Sequence, residues 1–210
     1  MRQALKERQG EALQAKLETA CVAVCGLGGL GSGIAVMLAR AGVGRLILID
    51  FDTVDVTNLH RQQYKANQVG LYKTEALAHN LKEIAPYLTI ETHTEKITPD
   101  NAVALLQGAE VICEALDQAQ QKAMLANTVL EKLPGAYFVA ASGMAGLGPA
   151  NHIRTRRISD HFYLCGDTVS DVDSGMGLVA PRVMLCAAHQ ALAALRILAR
   201  PLNITNIMED

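Results

Sequence analysis

Short apolar runs alternate with longer stretches whose apolar residues recur at helical spacing, and this alternation persists as far as Ala141. Cys21-Val22-Ala23-Val24-Cys25 and Arg45-Leu46-Ile47-Leu48-Ile49 are too short for helices and read as strands buried on both faces. Between them, Ser32 to Ala41 is apolar at helical spacing and stops at Gly42, a good C-terminal breaker. Asn67 or Thr74 opens the next helix, whose apolar face is Leu71, Leu77, Leu81 and Ile84, and Pro86 ends it. Leu88 to Thr94 alternates apolar with polar, which predicts a strand with one wet face near a sheet edge. A short helix over Pro99–Leu106, a buried strand over Val111–Ala115, a helix over Ala119–Leu130 and a strand over Tyr137–Ala141 complete the series. Ahead of it all, Leu5, Ala12, Leu13 and Leu17 give residues 1–19 a helical spacing that Gly10 is placed to break.

The pattern changes after Gly146. Asn151–Arg157 and His161–Cys165 read as strands joined by a turn at Ser159-Asp160, and an antiparallel pair is expected. Gly166 to Gly177 has three aspartates, three glycines and little to bury, so a mobile loop is expected. Val179–Ala199 reads as a closing helix with Pro181 in its first turn, and a tail follows from Pro201. The expectation is one α/β domain over 1–210: a helical arm (1–19), a core (20–146) and an extension (147–210). The sheet should be doubly wound and mostly parallel, with helices on both faces and an antiparallel C-terminal addition.

Composition narrows the choices. The formal charge of −2 forces no basic face, and a binder of nucleic-acid backbone needs more clustered Lys and Arg, so no nucleic acid is expected. The apolar run Cys186–Ala199 is broken by His189, Gln190 and Arg196, and no membrane span is expected. With no signal-like apolar run after Met1, a cytoplasmic protein is expected. The five cysteines (21, 25, 113, 165 and 186) contain no C-x-x-C pair. They read as buried thiols, and a four-cysteine structural zinc site is excluded. His79, His93, His152, His161 and His189 show no metal-ligand spacing.

The candidate chemistry begins at Gly26-Leu27-Gly28-Gly29-Leu30-Gly31, between the first strand and its helix. Glycines here allow a tight turn and let backbone N–H groups approach a phosphate, and the helix N-terminus adds partial positive charge. Asp50 follows Gly31 by 19 residues at the end of the second strand, where a carboxylate can accept from ribose hydroxyls. Strand, glycine turn, helix, strand and acid make a Rossmann-like nucleotide cradle. A dehydrogenase would need little more. This chain adds Asn58, Arg61 and Lys73 beyond the acid and Asp117 two residues past a third strand. Two cations and an amide suit a triphosphate, and a carboxylate opposite them suits magnesium. In a parallel sheet the glycine loop, Asp50, Asp117 and Ser142 fall on one rim.

The GLGGLG loop, the run Asp50-x-Asp52-x-Val54-x-x-x-Asn58-Leu59-x-Arg61-Gln62, Lys73 and Asp117 resemble the adenylation domain of ubiquitin-activating-type enzymes, the ThiF/MoeB group. The resemblance is closest to the short-type ThiF proteins (family 2). It extends through Glu114-Ala115-x-Asp117, Ser142-Gly143-Met144-Ala145-Gly146, Cys165-Gly166-Asp167, Ala180-Pro181-Arg182-Val183 and Ala187-Ala188-His189-Gln190. It implies ATP and Mg2+ as cofactors, with Gly26, Gly28, Gly29 and Gly31 shaping the loop. Asp50, with Asp52 beside it, would hold the ribose. Asn58, Arg61 and Lys73 would hold phosphates, Asp117 magnesium, and Gln62 would support them. It further implies a homodimer in which an N-terminal arginine, here Arg8, crosses to the partner's ATP. The partner would be a small ubiquitin-like sulfur carrier of the ThiS type ending in Gly-Gly, adenylated for thiamine synthesis.

Other readings are an acceptor of another kind (a MoaD-like carrier, a modified tRNA base or a peptide), a nicotinamide-dependent oxidoreductase that leaves Arg61 and Lys73 idle, and a non-catalytic carrier-binding module. Cys165 is a candidate functional thiol, set against a plain strand-end cysteine. The acidic loop from Asp167 to Asp173 is a candidate clamp for the incoming tail, set against a solvated loop.

Overall fold

A computed structural model describes residues 1–202. Two N-terminal helices, α1 (Arg2–Gln9) and α2 (Glu11–Thr19), break at Gly10, whose φ is 95°. There follow β1 (Cys21–Cys25), α3 (Gly29–Ala41), β2 (Arg45–Ile49), α4 (Lys73–Ile84), β3 (Thr89–His93), α5 (Ala102–Leu105), β4 (Val111–Glu114), α6 (Ala119–Lys132), β5 (Tyr137–Ala141), β6 (Arg154–Ser159), β7 (Phe162–Gly166) and α7 (Ala180–Ala199). The seven strands form one sheet in the order β3-β2-β1-β4-β5-β7-β6, parallel everywhere except the β6–β7 pair. This is the expected doubly wound sheet with an antiparallel addition.

Period-two alternation explains why the central strands are apolar throughout. In β1, Val22 and Val24 face the layer that includes α3, α4 and α7, while Cys21, Ala23 and Cys25 face α5 and α6. In β2, Leu46 and Leu48 divide from Ile47 and Ile49 in the same way. β3 is at the edge, as its half-polar pattern predicts. All five cysteines are buried and none is in a disulfide, so their apolar runs reflect packing. Burial pushes the Cys25 and Cys113 thiols far up, which keeps them protonated and unreactive. Cys165 is fully buried at the end of β7.

Three expectations needed correction. α3 begins at Gly29 inside the glycine loop, ahead of the apolar spacing that starts at Ser32, because Gly28 is its N-cap. β6 starts later than the pattern suggests, because Ala150–His152 forms a 3-10 turn first, and the turn that follows β6 places the start of β7 at Phe162. α7, taken whole, is long and apolar enough by length and composition to cross a bilayer, but 61% of its apolar window is buried in the fold. It serves as a core helix, packed chiefly on α3.

The segment after β7 was expected to be a free loop, and its start is anchored. Arg182 of α7, itself 5% exposed, donates to the carbonyls of Ala145 (3.0 Å), Gly148 (2.6 Å) and Pro149 (3.2 Å) and pairs with Asp167. The other carboxylate oxygen of Asp167 accepts from the amides of Val169 (2.9 Å) and Ser170 (2.8 Å). One guanidinium thus ties the connection after β5 to the connection after β7. Arg182→Met should lower stability by about 2–4 kcal/mol, because Asp167 and three carbonyls lose charge-assisted donors. Burial works to raise the Asp167 carboxyl, but the bonds from Ser170 and Val169 and the charge of Arg182 outweigh it. The group is held below its ordinary value. A lowered carboxyl stabilises the fold above the unfolded pKa and ceases to do so as pH falls through the folded one. The melting temperature of Asp167→Asn should therefore lie below that of the wild type at neutral pH, and the gap should close below about pH 4. A gap that stays constant down to pH 2 would contradict this account.

Candidate active site

The carboxyl ends of β1, β2, β4 and β5 all point the same way, so the glycine loop, Asp50, Asp117 and Ser142 share one rim, as expected. The loop is fixed by close backbone approach. Gly26 has a φ of 88°, and a methyl group there would lie 2.6 Å from the Ala115 carbonyl oxygen. At Gly31 a methyl group would lie 1.8 Å from the Gly26 carbonyl oxygen, so the first turn of α3 can close on the loop only without a side chain. Gly28 is different. Its methyl position has nothing nearer than the Gln62 side-chain nitrogen at 3.7 Å, so protein packing alone does not require glycine there. That open space is where a ligand can approach the backbone.

Asp50 lies beneath this loop and is 8% exposed. Its two oxygens accept from the amides of Leu27 (2.6 Å) and Asp52 (2.8 Å), and the Lys73 ammonium stands 3.8 Å away. Burial raises the Asp50 carboxyl, and Lys73 with the two amides opposes the rise. From the other side the Tyr64 hydroxyl donates to the Leu27 carbonyl at 2.7 Å. Burial pushes the Tyr64 phenol well up, so it stays a donor. Ser32 donates to the Gly28 carbonyl (2.6 Å) and accepts from the Gln63 amide (3.1 Å), which joins the helix to the segment carrying Arg61 and Gln62.

That segment is a 3-10 turn, Val56–Arg61, capped by Asp55, which accepts from the Thr57 amide at 2.7 Å. The Arg61 stem runs over Gly29, whose methyl position is 3.4 Å from Arg61 Cγ. The half-buried guanidinium touches His60 Nε2 at 3.2 Å and has no carboxylate partner among the described residues. Burial lowers its pKa, the mark of a cation that has lost water without gaining an anion. Gln62 is 8% exposed, and its Oε1 is buried with no donor among the described residues. An orphaned carbonyl of this kind costs about 1–3 kcal/mol. Asn58, half-buried in the same turn, makes no side-chain hydrogen bond among the described residues. An unpaired cation, the unmet Asn58 amide and a helix N-terminus around open space fit a nucleotide phosphate, while the orphaned Gln62 carbonyl needs a donor, as a hydroxyl or amine of the ligand would supply.

One predicted residue sits differently from the simplest expectation. Lys73, the first residue of α4, is 6% exposed and turns its ammonium to Asp52 (2.7 Å) and toward Asp50, so its charge is already matched. Arg8 is in α1, which packs beside Gly42 and Tyr87 through Leu5 and Arg2, next to the starts of β2 and β3. It is not brought to the rim of its own chain. Asp117 is exposed on the loop after β4, without a charged partner among the described residues. A lone carboxylate suits magnesium, which is commonly bound by one or two carboxylates together with substrate phosphates. No cluster of three or more potential metal ligands occurs among the described residues.

Sequence reasoning missed the supports. Glu114 is wholly buried, and Lys122 bonds both its Oε1 (2.8 Å) and the Leu116 carbonyl (2.9 Å), fixing the loop that carries Asp117. Burial raises the Glu114 carboxyl against the pull of Lys122. Gln190 of α7 donates to the carbonyls of Glu114 (2.8 Å) and Val139 (3.1 Å) on neighbouring strands. Glu114 and Gln190 fall in quoted motifs, but nothing in their spacing reveals these partners.

The family model that matches this chain is that of the ThiF family, over residues 1–208. Among curated proteins, the adenylyltransferase and sulfurtransferase UBA4 of Lodderomyces elongisporus is 29% identical over 191 residues, 88% of this chain and 42% of its own length. The adenylyltransferase and sulfurtransferase MOCS3 of Anopheles gambiae is 39% identical over 125 residues, 59% of this chain and 28% of its own length. The chain thus spans less than half the length of these relatives. Among solved structures, E. coli tRNA N6-threonylcarbamoyladenosine dehydratase, TcdA, in complex with ATP superposes with a TM-score of 0.85 at 24% identity, covering 96% of this chain and 95% of that one. E. coli MccB with ATP superposes at 0.70 and 22%, covering 91% and 59%. At these identities the likeness establishes a common fold. The family match over nearly the whole chain, on a rim built around a glycine loop and an unpaired arginine, shows that the protein belongs to the ThiF family.

Proposed function

We propose that this chain is an adenylyltransferase that activates the terminal carboxylate of a small ubiquitin-like carrier with ATP. The observation that carries the reading is Arg61, a half-buried guanidinium over Gly29 with no anionic partner among the described residues. It stands where the first N–H groups of α3 also favour negative charge. The names of UBA4 and MOCS3 and the ATP bound by TcdA support the same reading.

In the reaction, the carrier's carboxylate oxygen attacks the α-phosphorus, the bond to pyrophosphate breaks, and an acyl adenylate forms. The nucleophile is already ionised, so no general base is required. Alignment and charge neutralisation are the protein's tasks. Gly26, Gly29 and Gly31 shape the loop, Gly28 leaves room for the phosphates, and Asp50, pre-set by Leu27 and Asp52, accepts from the ribose. Arg61, Asn58 and the Gln62 carbonyl take the contacts left open in the free chain. Lys73 shifts part of its charge from Asp52 to the phosphates. Mg2+ held by Asp117 would neutralise phosphate charge.

That the carrier is ThiS-like and serves thiamine synthesis rests on the short-type motifs, including Ser142–Gly146 and Cys165-Gly166-Asp167. The same resemblance carries the proposal of a homodimer in which Arg8 serves the partner's site. Five buried cysteines outside any disulfide accord with a cytoplasmic place.

ATP–pyrophosphate exchange, with carriers ending in Gly-Gly and mass detection of the added AMP, tests the reading. Arg61→Ala and Lys73→Ala should each slow exchange by about 2–4 kcal/mol, tens to a thousandfold. Asp117→Ala should abolish the magnesium-dependent reaction, and unchanged exchange would remove that assignment. Gly28→Ala should fold and lose ATP affinity, whereas Gly31→Ala should fail to fold, as thermal melts and nucleotide titration will separate.

A further inference from the structure

A second opening lies on the same rim, at the far end of the sheet. It is a cleft of about 350 Å³ lined by His152, Arg154, Arg156, Asp167, Val169 and Ser170. Along β6 the side chains alternate. Thr155 turns to His189 of α7 (2.9 Å), so Arg154 and Arg156 share the opposite face. Arg154 is exposed and among the described residues reaches only the Asn151 carbonyl, at 3.4 Å. Arg156 gives one N–H to the Gly166 carbonyl at 2.8 Å. Neither has an ion-pair partner among the described residues, whereas Arg157, on the other face, is matched by Asp160 at 2.7 Å. Asp167 is the carboxylate among the lining residues, and it is committed to Arg182 and to the amides of Val169 and Ser170. The cleft therefore presents two guanidinium groups with unmatched charge and several free donors.

Its place fits a use. Arg154 pairs with Gly166 at the carboxyl end of β7, so the cleft opens on the rim that carries the glycine loop. Four strand steps separate β1 from β6. At about 4.8 Å per step that is ~19 Å, or about six extended residues at ~3.3 Å each. We propose that this cleft receives acidic side chains of the polypeptide that presents its terminus to the nucleotide, at positions about six or more residues ahead of that terminus. The proposal rests on the carrier reading above. Two arginines in a confined cleft, on a chain of net charge −2, suit a few carboxylates better than the long cationic track an RNA backbone requires. Such a contact would mainly set carrier affinity and encounter rate, leaving ATP binding untouched.

The test uses the full chain with ATP, and labelled ThiS-type and MoaD-type carriers ending in Gly-Gly, read by fluorescence anisotropy and by pyrophosphate exchange. Arg154→Glu, at an exposed side chain, should weaken carrier binding at least tenfold at about 50 mM salt. Arg154→Glu/Arg156→Glu should weaken it further, with ATP affinity unchanged and the deficit narrowing at about 500 mM salt. If the wild type adenylates a carrier and both variants bind it equally well, the cleft proposal fails and the adenylation reading stands. If no carrier is bound or adenylated by the wild type, the reading fails and takes the proposal with it. If the variants instead lose affinity for a transfer-RNA mixture while keeping the carrier, the cleft belongs to nucleic acid and the proposal is overturned.

Discussion

One buried carboxylate organises the rim. Asp50 ends β2, and its oxygens accept from the Leu27 amide of the glycine loop and from the Asp52 amide of the next turn. Burying an ionised acid is costly unless donors and a cation surround it. The solution here brings three sequence-distant pieces together: the loop after β1, the turn after β2 and the first residue of α4, Lys73. The glycine loop is therefore shaped in the free chain, and its preorganisation and the stability of β2's end come from the same bonds. Tyr64 closes the arrangement from the opposite side by donating to the Leu27 carbonyl.

Charge on this rim is divided in a way that separates structure from chemistry. Lys73, Lys122 and Arg182 are matched by Asp50 and Asp52, Glu114, and Asp167. Arg61, Arg154 and Arg156 have no such match among the described residues. Matched buried ions hold loops in place; unmatched half-exposed cations are what an anionic ligand would meet. The sheet can present both because β1 to β5 and β7 end, and β6 begins, on the same side.

Much of the fold was legible because its signals are periodic. Apolar runs of five residues, each followed by a helical stretch, fixed the strand count through β5 and the parallel sense. The half-polar pattern of Leu88–Thr94 identified an edge strand. The glycine loop and Asp50 were legible because strand, turn, helix and acid occur at a fixed spacing. What escaped has no period. That Lys73 faces two acids, that Arg182 collects three carbonyls and Asp167, and that Gln190 joins Glu114 to Val139 are facts of tertiary approach between segments 15 to 76 residues apart. The anchoring of the Asp167 segment was missed for the same reason: its glycines and aspartates resemble a solvated loop until the buried arginine is seen.

The reversed direction of β6 has a further consequence. The connection from β5 to β6 both leaves and re-enters the sheet at the ligand-facing side, and the connection from β7 to α7 begins there too. The tight turn between Ser159 and Phe162 lies at the opposite end. Lengthening or recomposing the two long connections would leave every ladder bond intact. The two long connections can thus vary in length and composition while the register that holds the glycine loop and Asp50 together stays locked.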